Sequence, residues 1–180
     1  MRENDRIDGK KDDTMTTKQY KVGFYGGKFL PPHKGHGYSC ISKMAELCEE
    51  GHVILFYGGA QEQDCKKRGE WGQWASLDSR LSAIQRFLDA WGYDHVQLHT
   101  IDITSQVHDG QDDWDAETAL VRAIIPRIDA VFSGGPQHHD YFTKAYPEAK
   151  HIQVDPERKI YPISSTMIRA DTEGMKGWML

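Results

Sequence analysis

The strongest constraint on the fold is an alternation of short apolar runs with amphipathic segments along most of the chain. The apolar runs are typical of strands, and three of them are followed directly by a glycine pair. The segments between them place apolar residues at helical steps of three and four. Strands that alternate with helices pair in parallel, because each helix returns the chain to the same end of the sheet. The pattern predicts an α/β fold with a Rossmann-like, doubly wound, five-stranded parallel sheet in three layers.

This pattern sets the expected boundaries of five strands and five helices. The strands are predicted at 20–25, 52–57, 95–101, 130–133 and 151–154. The helices are predicted at 38–49 (closed by Gly51), 77–91 (closed by Gly92), 116–125 (capped by Asp115, stopped by Pro126), 138–146, and from Ser165 and Thr166 onward. Residues 60–76 and 106–113 are predicted to be polar loops.

Length and composition limit the organisation and the partners. A chain of 180 residues suits one domain, and the charged, apolar-poor residues 1–19 predict a disordered tail before a domain at 20–180. The longest apolar run, 53–57, is too short to cross a membrane. A net charge of −5 disfavours nucleic-acid binding. The three cysteines lack CxxC spacing, which favours reduced thiols and a cytoplasmic location; a homo-oligomer is compatible with the sequence.

The segment between the first strand and the first helix carries the clearest chemical signal. Gly26 and Gly27 let the backbone approach a phosphate, and the following helix offers free N–H groups. His33 and His36, in the pattern HxGH, are spaced to converge on one point at the helix start. Neither a Walker A loop nor a GxGxxG fingerprint is present. The alternative for this segment is a loop with two surface histidines.

A second motif, ISSTMIR, stands at residues 163–169. Ser165 and Thr166 at a helix start can cap it or donate to phosphate, and Arg169, one turn on, can clamp two phosphate oxygens. By itself, this segment is more typical of an ordinary capped helix with a solvated arginine than of a phosphate site.

Together the two motifs resemble the signature of the HxGH nucleotidyltransferase superfamily. The chain around them is similar to the nicotinamide mononucleotide (NMN) adenylyltransferase domain of bifunctional proteins that also carry ribosylnicotinamide kinase. The carrying stretches are GKFLPPHKGH (27–36), IDAVFSGGP (128–136) and VDPERKIYPISSTMIR (154–169). The resemblance covers about residues 20–178, so the domain at 20–180 is expected to be a nucleotidyltransferase.

The resemblance implies a role for each matching residue. His33 and His36 would bind the ATP phosphates, with Lys28 near the α-phosphate or the triphosphate and also near NMN. Ser165, Thr166 and Arg169 would hold the β- and γ-phosphates. The catalytic set would be Lys28, His33, His36 and Arg169. Gly26, Gly27 and Phe29 of the turn, and Ser133 and Gly134 bordering the adenosine, complete the expected ATP site.

Trp114 looks like the aromatic residue that stacks on the nicotinamide ring. The implied reaction is ATP + NMN → NAD + pyrophosphate, a step of NAD biosynthesis. It implies ATP and Mg²⁺ as cofactors, with the ion held mainly by the nucleotide phosphates and not by protein ligands. The implied partners are therefore small molecules.

Two features depart from the resembled branch and leave the acceptor open. The segment 65–76 is longer, more basic and more aromatic than expected, and Gly134 and Gly135 replace a serine and an acid. One alternative is an adenylyl- or cytidylyltransferase acting on another phosphate-bearing acceptor. The other is a non-catalytic module of the same fold that senses a nucleotide.

Overall fold

The structure, a computed structural model, describes residues 17–180. The predicted tail therefore lies mostly outside the described residues. The strands are β1 (Tyr20–Gly27), β2 (Cys48–Tyr57), β3 (Val96–Asp102), β4 (Val107–His108), β5 (Gln111–Asp112), β6 (Ala130–Ser133) and β7 (Lys150–Gln153). The helices are α1 (Ser42–Leu47), α2 (Ala60–Lys67), α3 (Leu77–Trp91), α4 (Trp114–Ile124), α5 (His139–Ala145) and α6 (Ser165–Ala170). A wide π-type helical segment, Gly35–Ile41, leads directly into α1.

Five of the strands form one sheet in the order β3–β2–β1–β6–β7, and every neighbouring pair is parallel. β4 and β5 form a separate antiparallel hairpin. The predicted five-stranded parallel sheet is confirmed. The chain runs outward from β1 to β3 and then crosses back to β6, so the connection changes direction between β1 and β6. In open parallel sheets this switch point leaves a crevice at the carboxyl ends of the strands, where ligands bind.

Helices cover both faces of the sheet. Alternate strand residues point to opposite faces. Phe24 and Ile54 join the core beneath α4 and α5, whereas Tyr25 and Leu55 join the core beneath α1 and α3. The central strands are buried on both faces, which is why they read as continuous apolar runs.

Residues 60–76 contain a helix, so the loop predicted there is wrong. α2 begins after Gly59, with Glu62 in its first turn and Lys66 in its last. Those charges suit the helix dipole and form an i,i+4 ion pair at 3.0 Å. The segment lacks an apolar stripe, because it buries Cys65 and the paired Glu62 instead.

Two predicted helix ends are also wrong. The first helix stops at Leu47, and Gly51 lies inside β2, opposite Gly23 of β1. α4 begins at Trp114, and its N-cap is Asp113, whose carboxylate accepts the Ala116 N–H at 3.0 Å. The predicted cap Asp115 lies in the first turn. Gly92 does close α3, in the left-handed conformation with φ of 63°.

Within residues 17–180, no helix is both long and apolar enough to cross a membrane.

Candidate functional site

A cavity of about 530 Å³ opens at the carboxyl ends of β1 and β6, at the switch point. Of the predicted site residues, all but Ser133 and Arg169 line it. One end is formed by the HxGH segment and the start of the ISSTMIR segment. The other end is aromatic and belongs to α4 and α5. The cavity therefore offers different chemistry to the two ends of an elongated ligand.

The glycine turn brings the backbone of β1 close to its neighbours. A Cβ on Gly26 would stand 2.8 Å from the rings of Phe24 and Phe56, so this position needs glycine. Phe29, at the end of the turn, has φ of 46° and is buried. Its ring packs edge-on against His36 at 4.9 Å between centroids. Phe29 thus supports one of the two motif histidines.

Backbone hydrogen bonds fix the orientation of both imidazoles. His33 Nδ1 accepts the Gly35 N–H at 3.1 Å, and His36 Nδ1 accepts the His33 N–H at 3.1 Å. Because each Nδ1 is an acceptor, the proton of each neutral ring lies on Nε2. The rings stack at 3.6 Å between centroids. The spacing therefore brings two Nε2–H donors side by side at the start of the helix.

The two histidines are neutral at physiological pH. Burial, and secondarily the charge of Arg158, lowers the pKa of His33 to about 4. Burial also holds the pKa of His36 well below its ordinary value, assisted by His33 and Arg158. The pair can donate hydrogen bonds to an anion without carrying charge of its own.

Arg158 supplies a positive charge at this end of the cavity, and the sequence analysis gave it no role. It lines the cavity on an exposed loop, with φ of 52°. The loop is held by Asp155, whose carboxylate accepts the backbone N–H groups of Lys159, Ile160 and Tyr161 at 2.7–3.2 Å. The only sequence signal was its position inside the stretch 154–169.

The ISSTMIR segment binds the backbone of the first motif. Ser164 caps α6 by accepting the Met167 N–H. The hydroxyl of Ser165 donates to the Pro31 carbonyl at 3.0 Å, and Arg169 donates to the Leu30 carbonyl at 2.6 Å. Thus Ser164, not Ser165 or Thr166, is the cap.

Arg169 borders a second cleft beside the cavity, together with Lys28 and Thr166. In the described structure, one nitrogen of its guanidinium is used by the Leu30 carbonyl and the other by the Thr166 hydroxyl at 3.1 Å. Lys28, in the glycine turn, forms an ion pair with Asp112 of β5. Arg169 and Lys28, which were predicted to bind phosphate, therefore lie close to the cavity but already bind groups of the protein.

A buried ion pair holds the backbone of the glycine turn in place. Arg80 of α3 is fully buried and donates to the Lys28 carbonyl and to the carboxylate of Glu62, both at 3.0 Å. Glu62 also accepts the Gly58 N–H at 3.0 Å. Sequence reasoning missed this pair, because Arg80 sits in an ordinary amphipathic helix and its partner 18 residues away is brought close only by folding.

Trp114 forms part of the aromatic end of the cavity. It is 36% exposed, and its ring packs edge-on against Tyr141 at 4.8 Å and tilted against His138 at 5.0 Å. The Tyr141 hydroxyl donates to the Trp114 carbonyl at 2.5 Å. Tyr141 and His138 thus hold the Trp114 ring from one side. Trp114 is the first residue of α4 and does not lie in the preceding loop.

Ser133 and Gly134 follow β6, but only Gly134 lines the cavity. The buried Ser133 hydroxyl lies 2.7 Å from His151 Nε2 and 3.4 Å from the Gly135 carbonyl. Its side chain is therefore engaged at the edge of the sheet, and the predicted contact with a nucleotide could come only from its backbone.

Glu117 is a second residue that the sequence did not single out. It lines the cavity from α4, and its Oε1 atom is buried without a hydrogen-bond partner among the described residues. Burial raises the pKa of this carboxyl to about 7; Lys28 opposes the shift, and Asp112 and Asp113 add to it.

Within the described part of the chain, no three His, Cys, Asp or Glu side chains are arranged to hold a metal ion. The cavity carboxylate of Asp155 is occupied by backbone N–H groups, and Asp112 in the adjoining cleft pairs with Lys28. The residues present do not make a protein cage for Mg²⁺.

Comparison with known proteins agrees with this geometry. A solved structure of a bifunctional NMN adenylyltransferase/ADP ribose pyrophosphatase from Francisella tularensis aligns with a TM-score of 0.59 and 16% identity. The alignment covers 89% of this chain and 44% of that chain, so this protein spans less than half of that one. At this identity the likeness shows the fold, and the second activity printed for that protein is not the kinase of the resembled branch.

The sequence profile described as cytidylyltransferase-like matches residues 24–171, a range that holds both motifs and the whole cavity wall between them. The chain belongs to the cytidylyltransferase-like family of the HxGH nucleotidyltransferases.

Proposed function

We propose that the protein is an NMN adenylyltransferase, which transfers the adenylyl group of ATP to NMN and releases pyrophosphate. The observation that carries this proposal is the two-ended cavity. Neutral histidine donors and Arg158 stand at one end, and the wall formed by Trp114 and Tyr141 stands at the other. Family membership supports a nucleotide substrate, and the resemblance to NMN adenylyltransferases supports this acceptor.

The histidine end suits a triphosphate. The two Nε2–H donors would point at phosphate oxygens. The N–H groups expected to be free at the helix start are engaged, because Gly35 donates to His33 Nδ1 and both His36 and Gly37 donate to the His33 carbonyl. Arg158 would add a charge that binds two oxygens at once. Lys28 would exchange Asp112 for a phosphate oxygen, because a more highly charged anion competes for the same ammonium group.

In the proposed reaction, a phosphate oxygen of NMN attacks the α-phosphorus of ATP. The bond between that phosphorus and the bridging oxygen of the β-phosphate breaks, and its electron pair leaves with pyrophosphate. The attacking phosphate is already ionised at neutral pH, so no protein base is needed. His33, His36 and Lys28 would position the triphosphate and stabilise charge as it builds on the leaving group.

Mg²⁺ would be carried by the oxygens of the nucleotide, because the engaged carboxylates offer it no cage. When bound there, the ion would neutralise phosphate charge. The protein groups described above act independently of any contact with it.

The aromatic end suits a flat cationic ring. A cation over a Trp face contributes ~0.5–2 kcal/mol. Tyr141 and His138 fix the Trp114 ring from one side. The exposed remainder of the ring would stack on the pyridinium of NMN.

The proposal is tested by measuring pyrophosphate release with ATP or CTP against a panel of phosphorylated acceptors. We expect NMN with ATP to exceed phosphopantetheine and glycerol phosphate at least tenfold in kcat/KM. Turnover of another phosphate ester with NMN inert would contradict the NMN assignment. Nucleotide binding with no turnover of any acceptor would favour a sensor.

The acceptor end is tested with Trp114→Ala. Loss of a stacking partner worth ~1–2 kcal/mol should raise the KM for NMN ~5–30-fold and leave the KM for ATP nearly unchanged. Trp91→Ala is the matched control, because Trp91 is 51% exposed on α3 and away from the cavity. If the KM values for NMN and ATP rise equally and the Tm falls, Trp114 has a structural role instead.

A further inference from the structure

Glu117 lines the cavity, and one of its two carboxylate oxygens is unsatisfied. Its Oε1 is buried and has no hydrogen-bond partner within residues 17–180. Leaving a buried acceptor unpaired costs ~1–3 kcal/mol, and native structures rarely keep such an atom. A ligand that donates a hydrogen bond at this point would remove the cost.

The position of Glu117 is set by the helix that carries Trp114. Glu117 follows Trp114 by three residues in α4, so the two side chains lie one turn apart on the same face. Both line the cavity, and the Tyr141 ring packs against Trp114 at the same end. A ring stacked on Trp114 would carry its substituent toward Glu117.

We propose, on the basis of the adenylyltransferase function above, that Glu117 selects an acceptor ring that bears a carboxamide and rejects the same ring that bears a carboxylate. A carboxamide N–H₂ can donate to the unpaired Oε1. A ring carboxylate has no proton to donate and brings a second negative charge. Sites built around such a hydrogen bond discriminate strongly, because the wrong ligand leaves a buried group unpaired.

The surrounding charges strengthen this selection. Asp112 and Asp113 stand on the hairpin side of Glu117, and the nearby cation Lys28 is already paired with Asp112. A ligand carboxylate would enter a region whose net field is negative. A carboxamide on a cationic ring would not meet this repulsion.

Glu117 also makes the selection depend on pH. The carboxyl has a pKa of about 7, so it is protonated at pH 6 and ionised at pH 8. The protonated form can donate to a ring carboxylate, whereas the ionised form can only accept. Two further titratable groups face this end of the cavity: burial raises the pKa of Tyr141 on α5 and lowers the pKa of His138 just before α5. Selectivity should therefore increase with pH.

The first test uses the unaltered protein. The ratio of kcat/KM for NMN to that for nicotinic acid mononucleotide, both with ATP, is measured from pH 6 to 8.5. The two acceptors carry the same 5′-phosphate, so its titration cancels in the ratio. We expect the ratio to rise at least tenfold across this range. A ratio that is flat or falls overturns the proposal.

The second test compares Glu117→Gln with Asp115→Asn, an exposed carboxylate on the same helix. Glu117→Gln keeps the shape but can donate to a carboxylate, so the ratio at pH 8 should fall at least tenfold and lose its pH dependence. Asp115→Asn should keep the wild-type kcat/KM ratio and its dependence on pH. A Glu117→Gln variant with the wild-type ratio overturns the proposal, whatever its absolute activity.

The two proposals fail in different ways. If the unaltered protein uses neither pyridine nucleotide, the proposed function is wrong and the role of Glu117 is wrong with it. If NMN is used, but the kcat/KM ratio of the two acceptors changes neither with pH nor in the Glu117→Gln variant, only the role of Glu117 is wrong.

Discussion

At the scale of single residues, local hydrogen bonds set the orientation of the two motif histidines. The N–H of Gly35 holds His33, and the N–H of His33 holds His36, so both rings point their Nε2–H in a fixed direction. Such prealigned donors act in catalysis because they need no reorganisation as charge develops. Because this arrangement is local, the four-residue HxGH pattern was sufficient to predict that the two rings lie together.

We expect His36→Ala to reduce kcat by ~10²–10³, the usual effect of removing one prealigned donor. The KM for NMN should change much less, because the acceptor end is untouched. His108→Ala, which removes an exposed histidine outside the cavity, is the control. A His36→Ala protein that keeps more than a third of the wild-type kcat would show that the site is misassigned.

The depressed pKa of His33 predicts a loss of stability in acid. The unfolded chain binds a proton at His33 below pH 6.5, whereas the folded chain binds it only below about pH 4. Acidification across this window therefore favours the unfolded state, and the stability present above pH 6.5 is lost as the pH falls.

The shift of His33 corresponds to about 3 kcal/mol at most, using 1.36 kcal/mol per unit. Urea titrations between pH 7 and 4 should show a smaller decline in unfolding free energy for His33→Gln than for the wild type. His108→Gln should decline as the wild type does. Identical slopes for all three proteins would contradict a buried, neutral His33.

At the scale of secondary-structure elements, the glycine turn depends on contacts from α2 and α3. Glu62 of α2 and Arg80 of α3 form a buried pair, and the same guanidinium binds the Lys28 carbonyl. The two side chains that hold the turn, Arg80 and Glu62, do not themselves line the cavity. Breaking this pair should disturb both stability and the site.

We expect Arg80→Met to cost up to ~3–5 kcal/mol of stability, because the buried Glu62 carboxylate loses its buried cation and keeps only Lys66 and the Gly58 N–H as partners. Part of the loss should return in the double variant Arg80→Met/Glu62→Gln, in which the buried group is neutral. Arg86→Met, an exposed arginine of the same helix, is the control. Denaturant unfolding measures all three, and equal stability of Arg80→Met and the control would show that the pair contributes nothing.

At the scale of the whole molecule, the sheet order places the two motifs together although more than 120 residues separate them. The loop that carries Arg158 comes from the β7 side, and the histidines come from the β1 side. A nucleotide that binds both would link the two halves of the sheet. Binding should therefore stabilise the entire fold.

At a nucleotide concentration of 100 Kd, ATP should add ~2.7 kcal/mol, or ~5–10 °C in Tm for a domain of this size. Arg158→Ala should weaken this shift without changing the Tm of the free protein, since Arg158 is exposed. Lys159→Ala, its exposed neighbour, should keep the full shift. Differential scanning fluorimetry decides between the two, and equal shifts would exclude Arg158 from the phosphate site.

The parallel α/β architecture could be predicted from the sequence, because strand and helix periodicities are local patterns of apolar residues. The sequence also located the glycine turn and the HxGH segment, since backbone hydrogen bonds between neighbouring residues orient those side chains. The sequence-based prediction was wrong where one local pattern is compatible with two kinds of secondary structure. α2 has no apolar stripe, and Gly51 is as compatible with a strand as with a helix end.

Contacts between residues far apart in the chain became visible in the folded structure alone. Arg80 reaches Glu62 and Lys28, and Arg169 binds the Leu30 carbonyl. The Oε1 atom of Glu117 is left without a hydrogen-bond partner among residues 17–180. Such contacts depend on the order of strands in the sheet and on burial. Neither is encoded in the spacing of residues along the chain, so a pairing or an orphaned atom becomes visible only after the chain has folded.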